Sequence, residues 1–493
     1  MPVNPIKRLA GETAIYGLGT MVPRFLNYLL VPFYTIMVFN QAEYGQITVL
    51  YSWVALLLVL LTYGMETSFF RYVSKSKNPE EVFNTAATSL LITSVLFISI
   101  IVAFTAPIAQ IIDYPSNKEY ILYIGIIIGV DAFTALPFAR MRYQNKARRF
   151  STIRILSVLI TIALNILFLW VIPKLAGEKL NELPIYRSTN LVTFVFIANT
   201  LGSLATLALL IPELSTFKIS INWPLLRKML AYGLPILVVS LSGMINEVAD
   251  KIMLKYLLPD SSTSEALLGI YSASYKLAII MMLFIQMFRY AAEPFFFAES
   301  EKSDAKQIYS QVMTYFVIFC WFIFLGVMLY ISIFKYFIGP AFWAGLSIVP
   351  IVLAAKLFLG VFYNLSVWYK LTNKTLYGAI IAVVGSVLTI VLNAIWIPKY
   401  GYIGAAWANF VCYFIIMVVS FIWGRQIYRI DYQYKKIVFY TLLAVGIYYI
   451  SRQTNQLETY LQLTLNTILL MVFVLITYLK EVKKTSISKN NTG

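Results

Sequence analysis

Four charged side chains lie in the second half of an apolar segment that runs from residue 226 to residue 258. They are Glu247, Asp250, Lys251 and Lys255. On a helix, residues three or four apart share one side, so this spacing places all four on one face. Charge inside a membrane is costly and marks a functional site, and we expect Glu247 and Asp250 to bind a coupling ion, H⁺ or Na⁺. If the helix ended near residue 246 instead, these charges would cap it at the membrane interface.

Arg24 stands in the middle of the first apolar segment. Thr13, Tyr16, Thr20 and Asn27 follow the same face at intervals of three or four residues, so the arginine belongs to a polar stripe. Its guanidinium carries a permanent charge and a planar set of donors that suits phosphate oxygens. We expect Arg24 to contact a substrate, with Thr20 and Asn27 beside it.

Further charged residues fall in or beside apolar segments. Lys276 and Lys356 are deep enough in their segments to contact a substrate, although each could instead pair with an acid or extend to the interface. A structural role for Arg24 would need a carboxylate partner such as Asp131 or Glu66. A gate or an ion pair is expected for Glu66, Arg71, Lys251, Arg289 and Glu293.

The composition is that of a membrane protein. Of 493 residues, 60% are hydrophobic and only 12% are charged. The chain has no histidine, which excludes Ser-His-Asp and Cys-His catalysis and histidine metal sites. No glycine precedes a lysine, so a Walker A loop for ATP is absent from the sequence. We therefore expect a protein that is not an enzyme and that uses no cofactor.

The apolar segments number about 14, each of roughly 20 residues, which is the length that spans a bilayer. If the N-terminus is cytoplasmic, most Lys and Arg residues fall on cytoplasmic loops, and both termini lie on that side. The net charge of +17 then reflects membrane orientation, and no nucleic-acid partner is expected. The densest basic cluster, residues 140–154, is expected at the inner leaflet as a stop-transfer signal; the alternative is a contact with anionic lipid or with a charged substrate head. Residues 481–493 are expected to be disordered.

An internal repeat divides the chain into two halves. The pair Asn145-Lys146 recurs as Asn373-Lys374, and the Leu-Asn pair at 164–165 recurs at 392–393, both at an offset of 228 residues. An E-x-x-F-F pattern at residues 66–70 recurs at residues 293–297. The common order and offset indicate a duplication. With six helices per half, both halves enter the membrane in the same orientation, which is the parallel type of repeat.

The expected fold is an all-α polytopic membrane protein. It has two six-helix bundles, residues 1–211 and 212–424, followed by two extra transmembrane helices in residues 425–480. Glycine and proline inside the first and seventh helices mark both as bent or hinged. Two such bundles would enclose a central cavity near the midplane of the membrane.

The fourteen-helix plan, the bent first and seventh helices and the repeated E-x-x-F-F and L-N…I-P-K patterns resemble the multidrug, oligosaccharidyl-lipid and polysaccharide exporter superfamily. Within it, the chain is most similar to the Wzx-type polysaccharide biosynthesis flippases, over almost its whole length. The resemblance implies translocation of an undecaprenyl-pyrophosphate-linked oligosaccharide by alternating access, from the cytoplasmic to the periplasmic leaflet of a bacterial inner membrane. It also implies a basic cavity that includes an arginine of the first helix, which fits Arg24. A polysaccharide polymerase and a chain-length regulator are the expected protein partners.

Two other functions stay open at this point. A multidrug antiporter of the same superfamily would use a cavity of acids and aromatic residues, which the acids of the seventh helix favour and the basic residues in the spans oppose. A membrane glycosyltransferase or polymerase would need a large outer loop with catalytic acids. The longest predicted outer loop, residues 173–189, has only Glu178 and Glu182 as acids.

Overall fold

A computed structural model describes residues 17, 19–187, 189–453 and 457–483. Within these residues all regular secondary structure is helical. Twelve of the described helices are long and apolar enough to cross a membrane. One of them, Thr375–Ile427, consists of two helices joined at Gly401, and the shorter helix Tyr434–Gln453 adds another. Counted this way, the described part of the chain has fourteen membrane helices, and the predicted all-α polytopic fold is confirmed.

The fourteen helices are numbered along the chain. The first seven are α1 Gly19–Val38, α2 Gln41–Val73, α3 Pro79–Ala103, α4 Glu119–Tyr143, α5 Ala147–Ile166, α6 Leu191–Leu210 and α7 Trp223–Leu257. The others are α8 Ser261–Lys276 with its continuation Ile279–Glu299, α9 Ala305–Leu329, α10 Val349–Leu365, α11 and α12 as the two parts of Thr375–Ile427, α13 Tyr434–Gln453 and α14 Thr459–Thr477. Thr13, Tyr16 and residues 484–493 lie outside the described residues. The prediction that disorder starts at residue 481 is wrong, because Tyr478–Lys483 is helical and the buried Glu481 accepts a hydrogen bond of 2.6 Å from Lys436.

By packing, the chain divides into two compact units. The first contains residues up to 256 together with 260–269, and the second contains 257–259 and 270–493. The first unit therefore includes α7 and the start of α8, although both follow the repeat boundary in the sequence. The domain boundaries predicted from the sequence follow the duplication and not the packing, and they stay a prediction.

The beginning of α7 is anchored in the first unit by contacts with the end of α2. The Ser68 hydroxyl donates a hydrogen bond of 2.8 Å to the Met229 carbonyl. The guanidinium of Arg71 lies 3.9 Å from the centre of the Tyr232 ring. Met229 is fully buried in a core shared with Phe69, so α7 packs as a member of this unit.

Helix α7 is continuous over 35 residues, through Pro235, and ends at Leu257. The alternative that it ends near residue 246 is therefore wrong, and the four charges of its second half lie on helical turns. A proline inside a helix removes one backbone hydrogen bond without ending the helix when neighbouring helices support it.

Equivalent corners of the two halves have the same backbone structure. Asn145 and Asn373 both adopt the left-handed conformation, with φ of 55° and 57°. The N–H of the next residue reaches back to close the helix end in each case, from Lys146 to the Met141 carbonyl at 2.9 Å and from Lys374 to the Tyr369 carbonyl at 2.8 Å. Asparagine tolerates this conformation better than most residues. The repeated Asn-Lys pair thus marks the same helix end twice.

Polar interactions repeat as well. The Asn165 side chain donates to the Thr161 carbonyl at 2.8 Å, and Asn393 donates to the Thr389 carbonyl at 2.7 Å. Gly177 and Gly401, which follow the two Pro-Lys pairs, both have positive φ, of 52° and 59°. These shared features at nearly constant offset confirm the duplication that the sequence predicts.

In the second unit, the last two helices dock against α9. The Trp321 indole donates to the Thr441 hydroxyl of α13 at 3.0 Å. The Asn466 amide of α14 donates to the Leu329 carbonyl at 2.6 Å, which occupies one of the unpaired carbonyls at the end of α9. The extra helix pair is therefore part of this unit's packing.

Candidate functional site

The first unit contains a polar cavity of about 570 Å³. Five helices supply its walls: α1, α2, α4, α5 and α6. The polar side chains that line it are Thr20, Arg24, Asn27, Thr62, Glu66, Asp131, Thr134, Arg154, Ser157, Thr161, Asn199, Ser203 and Thr206. A cavity of this size is in the range of ligand-binding pockets.

Local structure brings the charged side chains to this cavity. Two consecutive left-handed residues, Tyr63 and Gly64, interrupt α2 and redirect its last two turns, on which Glu66 lies. On α1, the buried Tyr34 hydroxyl donates a hydrogen bond of 2.7 Å to the Asn165 side chain of α5. This bond holds the helix of Arg24 against the helix of Arg154.

Of the residues predicted to bind substrate, three line this cavity. Arg24 and Asn27 are exposed to it, and Thr20 is half-buried in its wall. The Thr20 hydroxyl donates to the Gly17 carbonyl at 2.9 Å. The polar stripe of the first helix is thus a cavity wall along its described residues.

Arg154 is a second cavity arginine, which the sequence reading placed in the basic cluster at the membrane surface. Its guanidinium carbon lies 3.7 Å from the centre of the Phe138 ring. Ser157 and Thr161 follow it on α5 and line the same cavity. Their spacing of three and four residues repeats that of the α1 stripe, and this pattern was the signal that could have identified Arg154 from the sequence.

Asp131 lies across the cavity on α4. The Ser203 side chain of α6 is a polar neighbour of its carboxylate, and the charge of Asp131 acts on Arg154. The sequence named Asp131 as a possible partner of Arg24; in the structure Asp131, Arg24 and Arg154 line one cavity. The cavity therefore combines two arginines with two acids, Asp131 and Glu66.

The hydroxyl groups of the cavity donate their protons elsewhere. Those of Thr62, Thr134, Ser157, Thr161 and Thr206 donate to carbonyls of their own helices, at 2.7 to 3.0 Å. Each oxygen keeps its lone pairs for the cavity, so these groups accept hydrogen bonds from water or from sugar hydroxyls. Charged donors for an anion must come from the arginines, and the Asn27 and Asn199 side-chain amides add neutral donors.

The residues predicted as a gate or as ion pairs form pairs inside each unit. Glu66 forms a salt bridge with Arg142, and Glu293 forms one of 2.9 Å with Lys370. These pairs occupy equivalent positions of the repeat. Arg71 and Arg289, the sequence neighbours of the two acids, stack on aromatic rings instead, Arg289 at 4.8 Å from the Tyr363 ring.

The charges of α7 occupy different surroundings. Asp250 is buried and forms a 3.1 Å salt bridge with Lys251, whose ammonium also donates to the Glu247 carbonyl at 2.8 Å. Lys255 points to the loop before α4, where it lies 3.3 Å from the centre of the Tyr114 ring. The predicted common face is therefore divided, with Lys255 serving a loop contact.

Lys276 and Lys356 belong to the second unit. Lys356 is almost fully buried, with its ammonium 5.0 Å from the Tyr275 ring and 5.3 Å from the Tyr413 ring. Lys276 is half-buried in the last turn before the interruption of α8. Neither lysine is among the residues that line the polar cavity of Arg24.

The second unit also has an apolar cavity, of about 620 Å³. It lies among α9, α10, α12 and α13. Aromatic side chains form much of its wall, namely Trp321, Phe324, Trp407, Phe410, Phe421, Tyr432, Tyr434 and Tyr448. Such a lining suits hydrocarbon.

No cluster of three or more acid, cysteine or histidine side chains that could hold a metal occurs in the described residues.

Known structures share this fold. The structure of the lipid II flippase MurJ in an inward closed conformation matches with a TM-score of 0.65 at 16% identity, covering 94% of this chain and 99% of that one. An inward-facing multidrug resistance transporter of the MATE family matches with a TM-score of 0.60 at 14% identity, covering 85% of this chain and 97% of that one. No curated protein matches the sequence.

A family model described as "Polysaccharide biosynthesis protein" matches residues 9–300, more than half of the chain. The two structural neighbours are named as a flippase and a transporter. The chain is thus a multi-pass membrane protein that belongs to the polysaccharide biosynthesis protein family.

Proposed function

We propose that this protein moves an undecaprenyl-pyrophosphate-linked oligosaccharide from the cytoplasmic to the periplasmic leaflet by alternating access. The observation that carries the proposal is the polar cavity of the first unit, in which Arg24 and Arg154 are the donors suited to a diphosphate. The surrounding hydroxyl oxygens are acceptors, which suits sugar hydroxyls. Membership of the polysaccharide biosynthesis family supports this substrate class.

The apolar cavity of the second unit fits the lipid part of such a substrate. Its aromatic and aliphatic lining offers a hydrocarbon chain the same apolar environment as the bilayer, together with a defined shape. We assign to it a segment of the polyprenyl chain. Membrane lipids are the competing occupants.

The remaining charged residues receive three roles. Glu247 and Asp250 are the proposed site of a coupling ion, H⁺ or Na⁺, which would bind when the contact between Asp250 and Lys251 opens. Lys276 and Lys356 are proposed to contact the substrate. The two equivalent salt bridges, of Glu66 and of Glu293, are proposed to hold helix ends together within each unit.

The proposed location is the inner membrane of a bacterium, with both termini in the cytoplasm. The excess of Lys and Arg on the loops that would then be cytoplasmic supports this orientation. A polysaccharide polymerase and a chain-length regulator are the proposed partners, because they would consume the translocated unit.

Replacement of Arg24 tests the function in cells. In a strain that depends on this protein for surface polysaccharide, Arg24→Ala and Arg24→Glu are expected to abolish the polysaccharide at normal protein levels. Arg24→Lys should retain part of the activity, since it keeps the charge but loses the planar donor set. Arg148→Ala, which removes an exposed arginine outside the cavity, is the control and should have no effect. Unchanged polysaccharide with Arg24→Glu would remove Arg24 from the mechanism.

A multidrug antiporter is the second candidate. The MATE structures that share the fold and the aromatic lining of the second cavity favour it. The two arginines of the polar cavity oppose it, because they would repel organic cations. A drug-susceptibility panel on a deletion strain separates the two functions, since only an antiporter changes the inhibitory concentrations of several cationic drugs.

A further inference from the structure

Arg154 differs from the other basic residues of its cluster in its partners. Four of them form salt bridges in the first unit: Arg140 with Glu80, Arg142 with Glu66, and both Lys146 and Arg149 with Glu213. Within the described part of the chain, Arg154 has no carboxylate oxygen within salt-bridge distance. Glu80, Glu66 and Glu213 are therefore each paired with another basic residue of the cluster. Arg154, inside the cavity, forms a salt bridge with none of them.

The geometry of Arg154 prepares it for an anion. Its guanidinium is placed over the Phe138 ring at 3.7 Å, and the more distant Phe150 ring lies at 5.8 Å. Contact between a guanidinium face and a ring fixes the plane of the group and leaves the N–H donors at its edge available. A fixed fork of donors binds a phosphate with less loss of entropy than a mobile lysine would.

Asp131 supplies the opposite charge without occupying those donors. Its carboxylate lines the same cavity and lies beyond salt-bridge distance from Arg154, yet its charge acts on that arginine. Glu66, Arg142 and Arg24 also act on Arg154. Since Glu66 and Arg142 neutralise each other as a salt bridge, Asp131 is the remaining negative charge that faces the two cavity arginines.

We propose that Asp131 is a counter-charge that weakens the binding of the diphosphate to Arg24 and Arg154, so that the ligand can leave. A transporter needs a site that attracts its substrate and still releases it, and two cavity arginines without a counter-charge would hold a diphosphate too tightly. Asp131 lowers the net positive charge of the cavity in both the empty and the loaded state. This inference rests on the proposed function for the identity of the ligand.

Binding measurements on the full-length protein in nanodiscs test the proposal. The probes are inorganic pyrophosphate and farnesyl pyrophosphate, measured by titration calorimetry at low and high salt. Asp131→Asn is expected to tighten binding by about tenfold or more at low salt, an effect that shrinks as salt screens the charge. Arg154→Gln is expected to weaken binding by about tenfold or more, and Arg154→Lys by less.

Matched controls separate a local effect from a change in total charge. Arg148→Gln removes an exposed arginine from the start of the same helix as Arg154, and Glu119→Gln removes an acid from the first turn of the helix of Asp131. Both should leave the affinities unchanged. Asp131→Glu keeps the charge and should bind as the wild type does, which shows that the site still folds when Asp131 is replaced.

Each result has a defined meaning. Unchanged or weaker binding by Asp131→Asn overturns the role of Asp131, and wild-type affinity in Arg154→Gln overturns that of Arg154. Tighter binding of farnesyl pyrophosphate than of inorganic pyrophosphate supports a lipid-linked ligand, whereas equal binding contradicts it in favour of free diphosphate. A protein that supports polysaccharide export but binds neither probe rejects this inference alone. Arg154-dependent binding in a protein that supports no export rejects the proposed function alone.

Discussion

At the residue scale, the polar cavity of the first unit divides hydrogen bonding between two kinds of side chain. The hydroxyl groups give their protons to their own helices and present oxygen lone pairs, as Thr62 and Thr134 do. The arginines present donors. This division suits a ligand that has both hydroxyl donors and anionic acceptors, which the proposed substrate combines.

Arg24 was predictable from the sequence and Arg154 was not, for a physical reason. Arg24 has long apolar stretches on both sides, so only a polar interior could accommodate it. Arg154 follows five basic residues within fourteen positions, and such clusters commonly lie at the membrane surface. Only the packing of α4 against α5 shows that the last arginine of the cluster faces inward.

Glu213 offers a prediction at the same scale. Its side chain is 5% exposed and receives Lys146 at 2.9 Å and Arg149 at 2.7 Å. Glu213→Gln keeps the shape but leaves two cations without their counter-charge, so we expect the free energy of unfolding to fall by about 2 kcal/mol. A lower thermal unfolding temperature of the purified protein in detergent would show this. Glu178→Gln, at an exposed position, is the control, and an equal shift in both variants would contradict the account.

At the element scale, the sequence shows that the Asn-Lys pair and the E-x-x-F-F pattern recur, but it does not show the structural reason. The Asn-Lys pairs recur because the chain must take a left-handed turn between consecutive helices, which Asn145 and Asn373 accommodate. The E-x-x-F-F pattern recurs because its acid pairs with a basic residue at equivalent positions, Arg142 and Lys370. The sequence pointed instead to Arg71 and Arg289, the neighbours of these acids, because contacts between distant segments cannot be obtained from spacing alone.

Helix crossing gives a prediction at the element scale. Gly45 of α2 lies where an added Cβ would collide with the backbone carbonyl of Glu265 at the start of α8, within the first unit. A backbone carbonyl cannot move aside as a flexible side chain can, so Gly45→Ala should destabilise the protein by about 1–3 kcal/mol.

Gly326 is the matched control for this substitution. It also lies inside a long helix, α9, but open space surrounds the position of its Cβ. Gly326→Ala should be neutral or stabilise by up to about 1 kcal/mol, because alanine is the better helix former. Thermal unfolding of both variants decides the matter, and a loss of stability in neither or in both would refute the close contact at Gly45.

At the scale of the whole molecule, the sequence predicted the fold class and the duplication, and both are confirmed. It also predicted a cavity enclosed by two bundles. The polar cavity described here lies inside the first unit, and its position depends on how five helices pack, which no motif encodes. The placement of α7 in that unit is likewise a result of tertiary packing at Ser68 and Met229.

The orientation of the molecule is a prediction at this scale. With cytoplasmic termini, the segment after α5 faces the periplasm and the segment between α8 and α9 faces the cytoplasm. A single cysteine at Glu178 should react with a membrane-impermeant maleimide in intact cells, whereas one at Ser303 should react only after the membrane is permeabilised. Both native cysteines are buried, so they give little background. The reverse pattern would contradict the orientation and the direction of transport.

The most direct test of the central claim is translocation of a lipid-linked sugar by the purified protein. Proteoliposomes are loaded with a fluorescent polyprenyl-diphosphate-linked sugar, and a membrane-impermeant quencher reports the fraction in the outer leaflet. With the wild type, the label of the inner leaflet should become accessible within the assay, whereas with Arg24→Ala it should stay protected as in protein-free vesicles. Equal protection with the wild type and with Arg24→Ala would contradict the claim that this chain is a flippase acting through its cavity arginines.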